Sequence, residues 1–249
     1  MQIAYQSSKG MVREKNEDAV GAFKNSQDIS LAIIADGIGG NRAGEVASKM
    51  TVTYLGTQFK TSTVANLSEA KEWLSSELVI ANQQILDYAA EDPNLEGMGT
   101  TLVAALISGE QVVIANIGDS RGYVLHADEL LQLTEDHSYV NELVKNGDLT
   151  PAEAEHNPYK NIITKSLGIN AEAKADYHEF QVVVGDQLLL CTDGLTNMVS
   201  TDKIKTILNS SVTLSEKCDR LIKAANQNGG ADNITVLLIL DDTGVINDA

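Results

Sequence analysis

The sequence predicts an α+β fold of packed layers with a largely antiparallel sheet arrangement. Two observations carry this reading. Apolar strand-like runs are joined by very short links, "SGE" at 108–110, "GDS" at 118–120 and "GD" at 185–186, and links of that length reverse the chain and make neighbouring strands antiparallel. The order of elements is strand runs, helices, more strand runs, then helices and a last strand. A doubly wound parallel sheet would instead alternate strand and helix throughout.

Strands are predicted at 31–35, 101–107, 111–117, 121–126, 177–184, 187–192 and 234–240, all rich in Val, Ile and Leu. Over 66–90, Leu67, Ala70, Leu74, Leu78, Ala81, Ile85 and Ala89 recur at spacings of three and four, which places one apolar stripe on a helix. Asn66 and Glu69 resemble a capping box at its start. Thr213 and Glu216 complete the same T-x-x-E signature for a second helix, which runs through Leu221 and Ile222 to Gly229-Gly230. Residues 44–59 form a further helix whose β-branched residues weaken its propensity. A short helix starts at Ser138, and "TPAEAE" at 150–155 has a Thr cap with Pro at the first helical position. The closing "DDTGVINDA", 241–249, is polar and is expected to fray.

The 249 residues are 43% hydrophobic and carry only 3 prolines, with no linker-like stretch or internal repeat, so one domain is the expectation. A formal net charge of −17 repels nucleic acid and anionic membrane surfaces. An anionic substrate would therefore need a cation brought to the site, and metal ions are the obvious source. No apolar stretch approaches the roughly 18 residues of a membrane span, and the N-terminus lacks a signal-peptide core, so the chain reads as cytoplasmic. Cys191 lies in an apolar run and reads as a buried thiol rather than a redox centre.

Four aspartates stand at strand ends: Asp36 after "LAIIA", Asp119 after "VVIANIG", Asp193 after "LLLCT" and Asp232 before "NITVLLIL". If those strands are neighbours, the carboxylates meet at one rim, and like charges so close cannot all ionise without a cation. Oxygen ligands without His or Cys suit magnesium or manganese better than zinc. The simpler alternative is that each is a turn residue, since Asp-Gly, found at 36–37 and 193–194, favours turns. Repetition in one strand-end setting favours the metal.

Three competing signals are weaker. "GDSRG" at 118–122 matches the G-x-S-x-G nucleophile pattern, with Asp176 and His178 following in hydrolase order, but "RGYVLH" continues as strand where that pattern needs a helix. "DGIGGNRAG" has Arg42 where a dinucleotide fingerprint needs its third glycine, and no Lys-Ser/Thr follows for a P-loop. His126, His137, His156 and His178 show no metal-ligand spacing and read mostly as surface or capping residues.

With these residues in place, the sequence resembles the bacterial metal-dependent serine/threonine protein phosphatases of type 2C, the PPM family. The stretches that carry the resemblance occur in family order: "VREKNED" (12–18), "ADGIGG" (35–40) with "GEVAS" (44–48), "GMGTT" (97–101), "NIGDSR" (116–121), "LTEDHS" (133–138), "NIITKSLG" (161–168), "CTDGLTN" (191–197) and "GGADNITVLL" (229–238). The resemblance implies a four-layer αββα sandwich, two mainly antiparallel sheets flanked by helices, over residues 1–240, with a helical flap at about 138–166. It implies a site for two manganese or magnesium ions: Asp36 bridging them, the Gly37 carbonyl on one, and Asp193 and Asp232 completing the first ion's ligands. Asp119 with Asp193 would hold a weaker third ion. Glu17 and Asp18 would orient waters bound to the ions.

The implied reaction is hydrolysis of phosphoserine and phosphothreonine in proteins by a water whose pKa the ions lower. Arg13 would grip two phosphate oxygens with its planar fork. Expected partners are a bacterial Ser/Thr kinase and its substrates, and the chain is expected to be a monomer. The flap is either a site of substrate choice or a packed surface helix pair. Asn41 stands where many relatives carry His, and Lys160 and Lys165 where they often show Arg. Asn cannot donate a proton as an acid, so water would protonate the leaving group. A catalytically silent regulatory module of this fold is the alternative, and it should lack the ligands that this chain retains; a regulator narrowed to one phosphoprotein is a third reading.

Overall fold

A computed structural model describes residues 1–39 and 43–240. Asn41 and the tail 241–249 therefore lie outside the described residues. The first sheet contains β1 (Gln2–Ser8), β7 (Arg121–His126), β8 (Glu129–Gln132), β10 (Gln187–Cys191) and β11 (Ile234–Leu240), in the order β1-β11-β10-β7-β8. The second contains β2 (Asp18–Lys24), β3 (Ser30–Ile38), β5 (Leu102–Ser108), β6 (Gln111–Ile117) and β9 (Asp176–Gln181), in the order β2-β3-β5-β6-β9, with β4 (Gly99–Thr100) paired to the end of β3. All these pairings are antiparallel. Helices α1 (Ala43–Thr61) and α2 (Leu67–Glu91) cover the second sheet. The first is covered by α6 (Thr201–Leu208) and α7 (Leu214–Gln227), with the one-turn α5 (Asp193–Thr196) beside them. Two short helices, α3 (Tyr139–Lys145) and α4 (Pro151–Glu155), lie between β8 and β9.

Alternation along β3 shows why four layers form. Leu31, Ile33 and Ala35 share a buried cluster with Leu55 and Phe59 of α1 and Leu74 and Leu78 of α2. Ala32 and Ile34 face the other way, into a cluster with Leu188, Leu190, Leu237 and Ile239 of the opposite sheet. In β11, Val236 and Leu238 pack with Leu221 and Ile222 of α7, while Leu237 and Ile239 fill the space between sheets. Strands buried on both faces must be apolar at successive positions, which is why these runs do not alternate.

The helix signals hold. Asn66 accepts from the Glu69 amide, Thr213 from that of Glu216, Ser138 from that of Asn141, and Thr150 with Glu153 makes a complete capping box. Two of the short links do not make the expected hairpins. "SGE" does, with Ser108 opposite Gln111, but "GDS" and "GD" carry the chain from one sheet to the other, β6 to β7 and β9 to β10. Link length fixes a reversal of direction and not the sheet that receives the next strand.

Candidate active site

Strand register brings the predicted carboxylates together. Asp18 opens β2 directly opposite Asp36 in β3. Asp193 follows β10, Asp232 precedes β11, and Asp119 follows β6, all at one end of the sandwich. Burial, then the charges of Asp18, Asp193, Asp119 and Asp232, hold the Asp36 carboxyl well above its ordinary range. Asp193 is raised by burial and then by Asp232, against a hydrogen bond shared with Asp36 that lowers it. Burial raises Asp18 to about 7, and burial followed by Asp193 and Asp136 raises Asp119 to about 7. Glu17 is raised by burial, with Arg13 and Asp232 pulling in opposite directions. These groups feel one another's charge strongly, which separated turn aspartates would not.

The frame around them is polar and buried. The Asp36 amide donates to Thr101 Oγ1 at 3.0 Å, the Asp36 carbonyl accepts from the Thr101 amide at 2.9 Å and from the Thr100 hydroxyl at 2.9 Å, and Thr101 Oγ1 meets Ser120 Oγ at 2.8 Å. Asp18 Oδ2 accepts from the hydroxyls of Thr235 at 2.6 Å and Thr192 at 3.1 Å. Asn233 stitches the N-terminal loop to β11: its Oδ1 accepts from the Glu17 amide at 2.7 Å, and its Nδ2 donates to the Lys15 carbonyl at 2.8 Å. Thr101, Thr192, Thr235 and Asn233 were not singled out by sequence. Their place within the quoted stretches was the only available signal, since a buried hydroxyl that locks a carboxylate looks like any other threonine along a chain.

Gly37 does not lie in a turn, the simpler alternative for an Asp-Gly pair. β3 continues through it to Ile38, with Gly37 opposite Thr100. A Cβ there would collide with the carbonyl of Gly44 at the start of α1 and lie 2.6 Å from that of Glu17. Glycine is needed so that the helix can close onto the strand. Asp193 likewise opens α5 rather than a simple turn, its Oδ2 accepting from Asn197 Nδ2 at 2.8 Å.

Arg13 Nη2 donates to Asp232 Oδ2 at 2.8 Å, a pair whose side chains are 52% and 39% exposed. Such an exposed pair is weakly held, so the guanidinium is free to exchange carboxylate for another anion. Among the described residues no three His, Cys, Asp or Glu side chains stand as a ready-formed ion cage. Several carboxylates are paired locally: Asp232 with Arg13, Asp193 with Asn197, and Asp36 with Asp193. Yet Asp18 Oδ1 and Asp119 Oδ1 are buried without a hydrogen-bond partner. Orphaned anionic acceptors inside a crowd of carboxyls fit hard cations and the waters that cations carry. The rejected hydrolase pattern stays rejected: Ser120 is buried against Thr101 and strand β7 begins at Arg121.

Known proteins resemble the chain along nearly its whole length. A family model described as protein phosphatase 2C matches residues 7–238. The chain is 46% identical over 240 residues to the serine/threonine phosphatase stp of Listeria welshimeri, covering 96% of this chain and 95% of that protein. It is 44% identical to the protein phosphatase PhpP of Streptococcus pneumoniae, with 96% and 97% covered. The S. agalactiae serine/threonine phosphatase superimposes with a TM-score of 0.92 at 42% identity, over 95% of this chain and 98% of that one. The catalytic domain of the phosphatase PstP, solved with two manganese ions, superimposes with a TM-score of 0.83 at 36% identity, over 95% and 96%. Matched along almost its whole length in sequence and in fold, the chain belongs to the protein phosphatase 2C family.

Proposed function

We propose that the carboxylate rim is the metal centre of a serine/threonine protein phosphatase: Asp36, the Gly37 carbonyl, Asp193 and Asp232 hold two manganese or magnesium ions. Asp119 with Asp193 holds a weaker third. The observation that carries this reading is the crowding of carboxyls at one rim with two acceptors left bare. Bound there, the ions supply a water nucleophile active near neutral pH and offset the charge of the phosphate. A binding module without activity would have no reason to retain this set of ligands.

The chain's own residues then have distinct tasks. Arg13 leaves Asp232 for the phosphate, gripping two of its oxygens and holding it against the rim. Asp18, fixed by Thr192 and Thr235, keeps one buried oxygen without a partner and would use it to orient water bound to the ions. Glu17 lies beside Arg13 and Asp232 and takes the same orienting role. With Asn41 where many relatives carry His, a proton for the departing serine or threonine oxygen comes from water. The catalytic unit is 1–240 with residues 138–166 as its flap. We place it in the cytoplasm as a monomer, opposing a bacterial Ser/Thr kinase on that kinase's substrates; no helix among the described residues is long and apolar enough to cross a membrane.

The test is hydrolysis of a phosphothreonine peptide with manganese, with chelator, and by Asp193→Ala. Chelation and the substitution should each remove activity, by about 10³-fold or more if the ions supply several kcal/mol of transition-state stabilisation. Activity surviving both would sink the metal reading.

A further inference from the structure

His137, one of four histidines that read mostly as surface or capping residues, is 5% exposed. It sits at the N-terminal root of the 138–166 segment and grips Gly118 twice. Its amide donates to the Gly118 carbonyl at 2.9 Å, and its Nδ1 accepts from the Gly118 amide at 3.0 Å. That second bond leaves Nδ1 without a proton, so the ring proton is on Nε2, 3.0 Å from Asp176 Oδ2 on β9. The C-terminal root of the segment arrives at the same residue. The His137 carbonyl accepts from the Thr164 amide at 2.8 Å, and Lys165 Nζ lies 3.3 Å from Nε2 and 3.5 Å from Asp176 Oδ1.

Gly118 is the residue before Asp119. Its φ of +103° is the left-handed region that favours glycine, and a Cβ would lie 2.6 Å from Thr101 Cγ2, the threonine that also holds Asp36. The turn carrying Asp119 thus has little slack on one side and the imidazole on the other.

We propose that His137 is a positioning residue: its ring ties Asp176, and its backbone the C-terminal root at Thr164, to the Gly118–Asp119 turn, and so sets where the Asp119 carboxylate stands at the rim. The consequence for ion binding rests on the metal reading above; the consequence for the turn does not.

Two substitutions separate the two sides of the ring. In His137→Asn the side-chain oxygen takes the place of Nδ1, keeping the acceptor for Gly118 and losing the donor to Asp176. His137→Gln reaches Asp176 with its amide nitrogen and loses the acceptor for Gly118. Amide hydrogen exchange, measured on the metal-free protein, should quicken at Gly118 at least about tenfold in His137→Gln. In His137→Asn it should stay near the parent rate. A manganese titration followed by paramagnetic resonance should then show weaker binding of the last ion in His137→Gln by about tenfold, within the range that residues orienting a ligand produce. That loss should vanish in an Asp119→Ala background, because the ring acts through Asp119. Parent-like exchange in His137→Gln, with the fold intact by circular dichroism, overturns the proposal, as does equal quickening in both variants. A binding loss that persists undiminished beside Asp119→Ala makes the role merely structural and also overturns it. If Asp119→Ala alone leaves manganese binding unchanged, the assignment of Asp119 to an ion falls, and the exchange measurement decides the case for His137.

Discussion

The carboxylate rim and the 138–166 segment are joined at His137 and are built in opposite ways. Asp36, Asp119, Asp193 and Asp232 stand at or near the ends of β3, β6, β10 and β11, strands whose central residues are buried. The neighbouring segment has only Val140 buried in α3, no buried described residue in α4, and Tyr139, Tyr159 and Ile162 exposed. Its helices are held by caps and by hydrogen bonds at its roots. The difference teaches where each kind of precision comes from. Strand register, enforced by a core on both faces, can hold repelling charges in contact; a segment without a core can shift without unfolding anything.

The largest expected effect on this contrast comes from the rim's supporting hydroxyl network. Asp18→Asn keeps the shape between Thr192 and Thr235 but removes the charge behind the bare oxygen, and it should lower manganese affinity or turnover about 10- to 100-fold. A change within twofold in a peptide-hydrolysis assay would mean that Asp18 serves the strand pairing alone.

A smaller effect is expected on stability against pH. Asp18 and Asp119 ionise near 7 in the folded protein, against a reference of 3.8 for an unburied aspartate. A raised carboxyl pKa means that the folded state keeps protons which the unfolded chain releases. The contribution is fully present below the unfolded value and is lost as pH rises through about 7. The metal-free protein should therefore melt several degrees lower at about pH 8 than at about pH 5, with saturating manganese removing the difference. A metal-free melting point that rises over that interval would show that the carboxyls are not crowded as described.

The smallest effect belongs to the other side of the comparison. Thr150→Ala removes the capping box of α4, costing about 1 kcal/mol locally. Protease cleavage within 146–160 should quicken, while the global melting point stays within about one degree, because the segment does not share the core's cooperativity. A drop of several degrees would place it in the core unit.

What was legible in the sequence follows the same divide. Strands β6, β7 and β11 match their predicted bounds residue for residue, because apolar runs flanked by turns admit no other reading. β1 was missed because it alternates into solvent, as "QIAYQSS" with Tyr5 half exposed, and β8 because it is a four-residue edge. β2 hides behind Gly21, which is a packing choice: a Cβ there would lie 2.6 Å from the Phe23 ring. The carboxylates were visible as a repeated strand-end pattern, whereas the threonines, Asn233 and His137 that fix them come from distant parts of the chain. Asp18 receives bonds from residues 174 and 217 positions away; no local pattern encodes such a contact.

The most direct test of the central claim is diffraction from crystals grown with manganese chloride, collected at the manganese absorption edge. The account predicts two strong anomalous peaks at the rim, one touching Asp36, Asp193 and Asp232 and the other Asp36 and the Gly37 carbonyl, with Arg13 released from Asp232. Peaks confined to other surfaces, or a rim that keeps the Arg13–Asp232 pair and the Asp36–Asp193 hydrogen bond at saturating manganese, would contradict it.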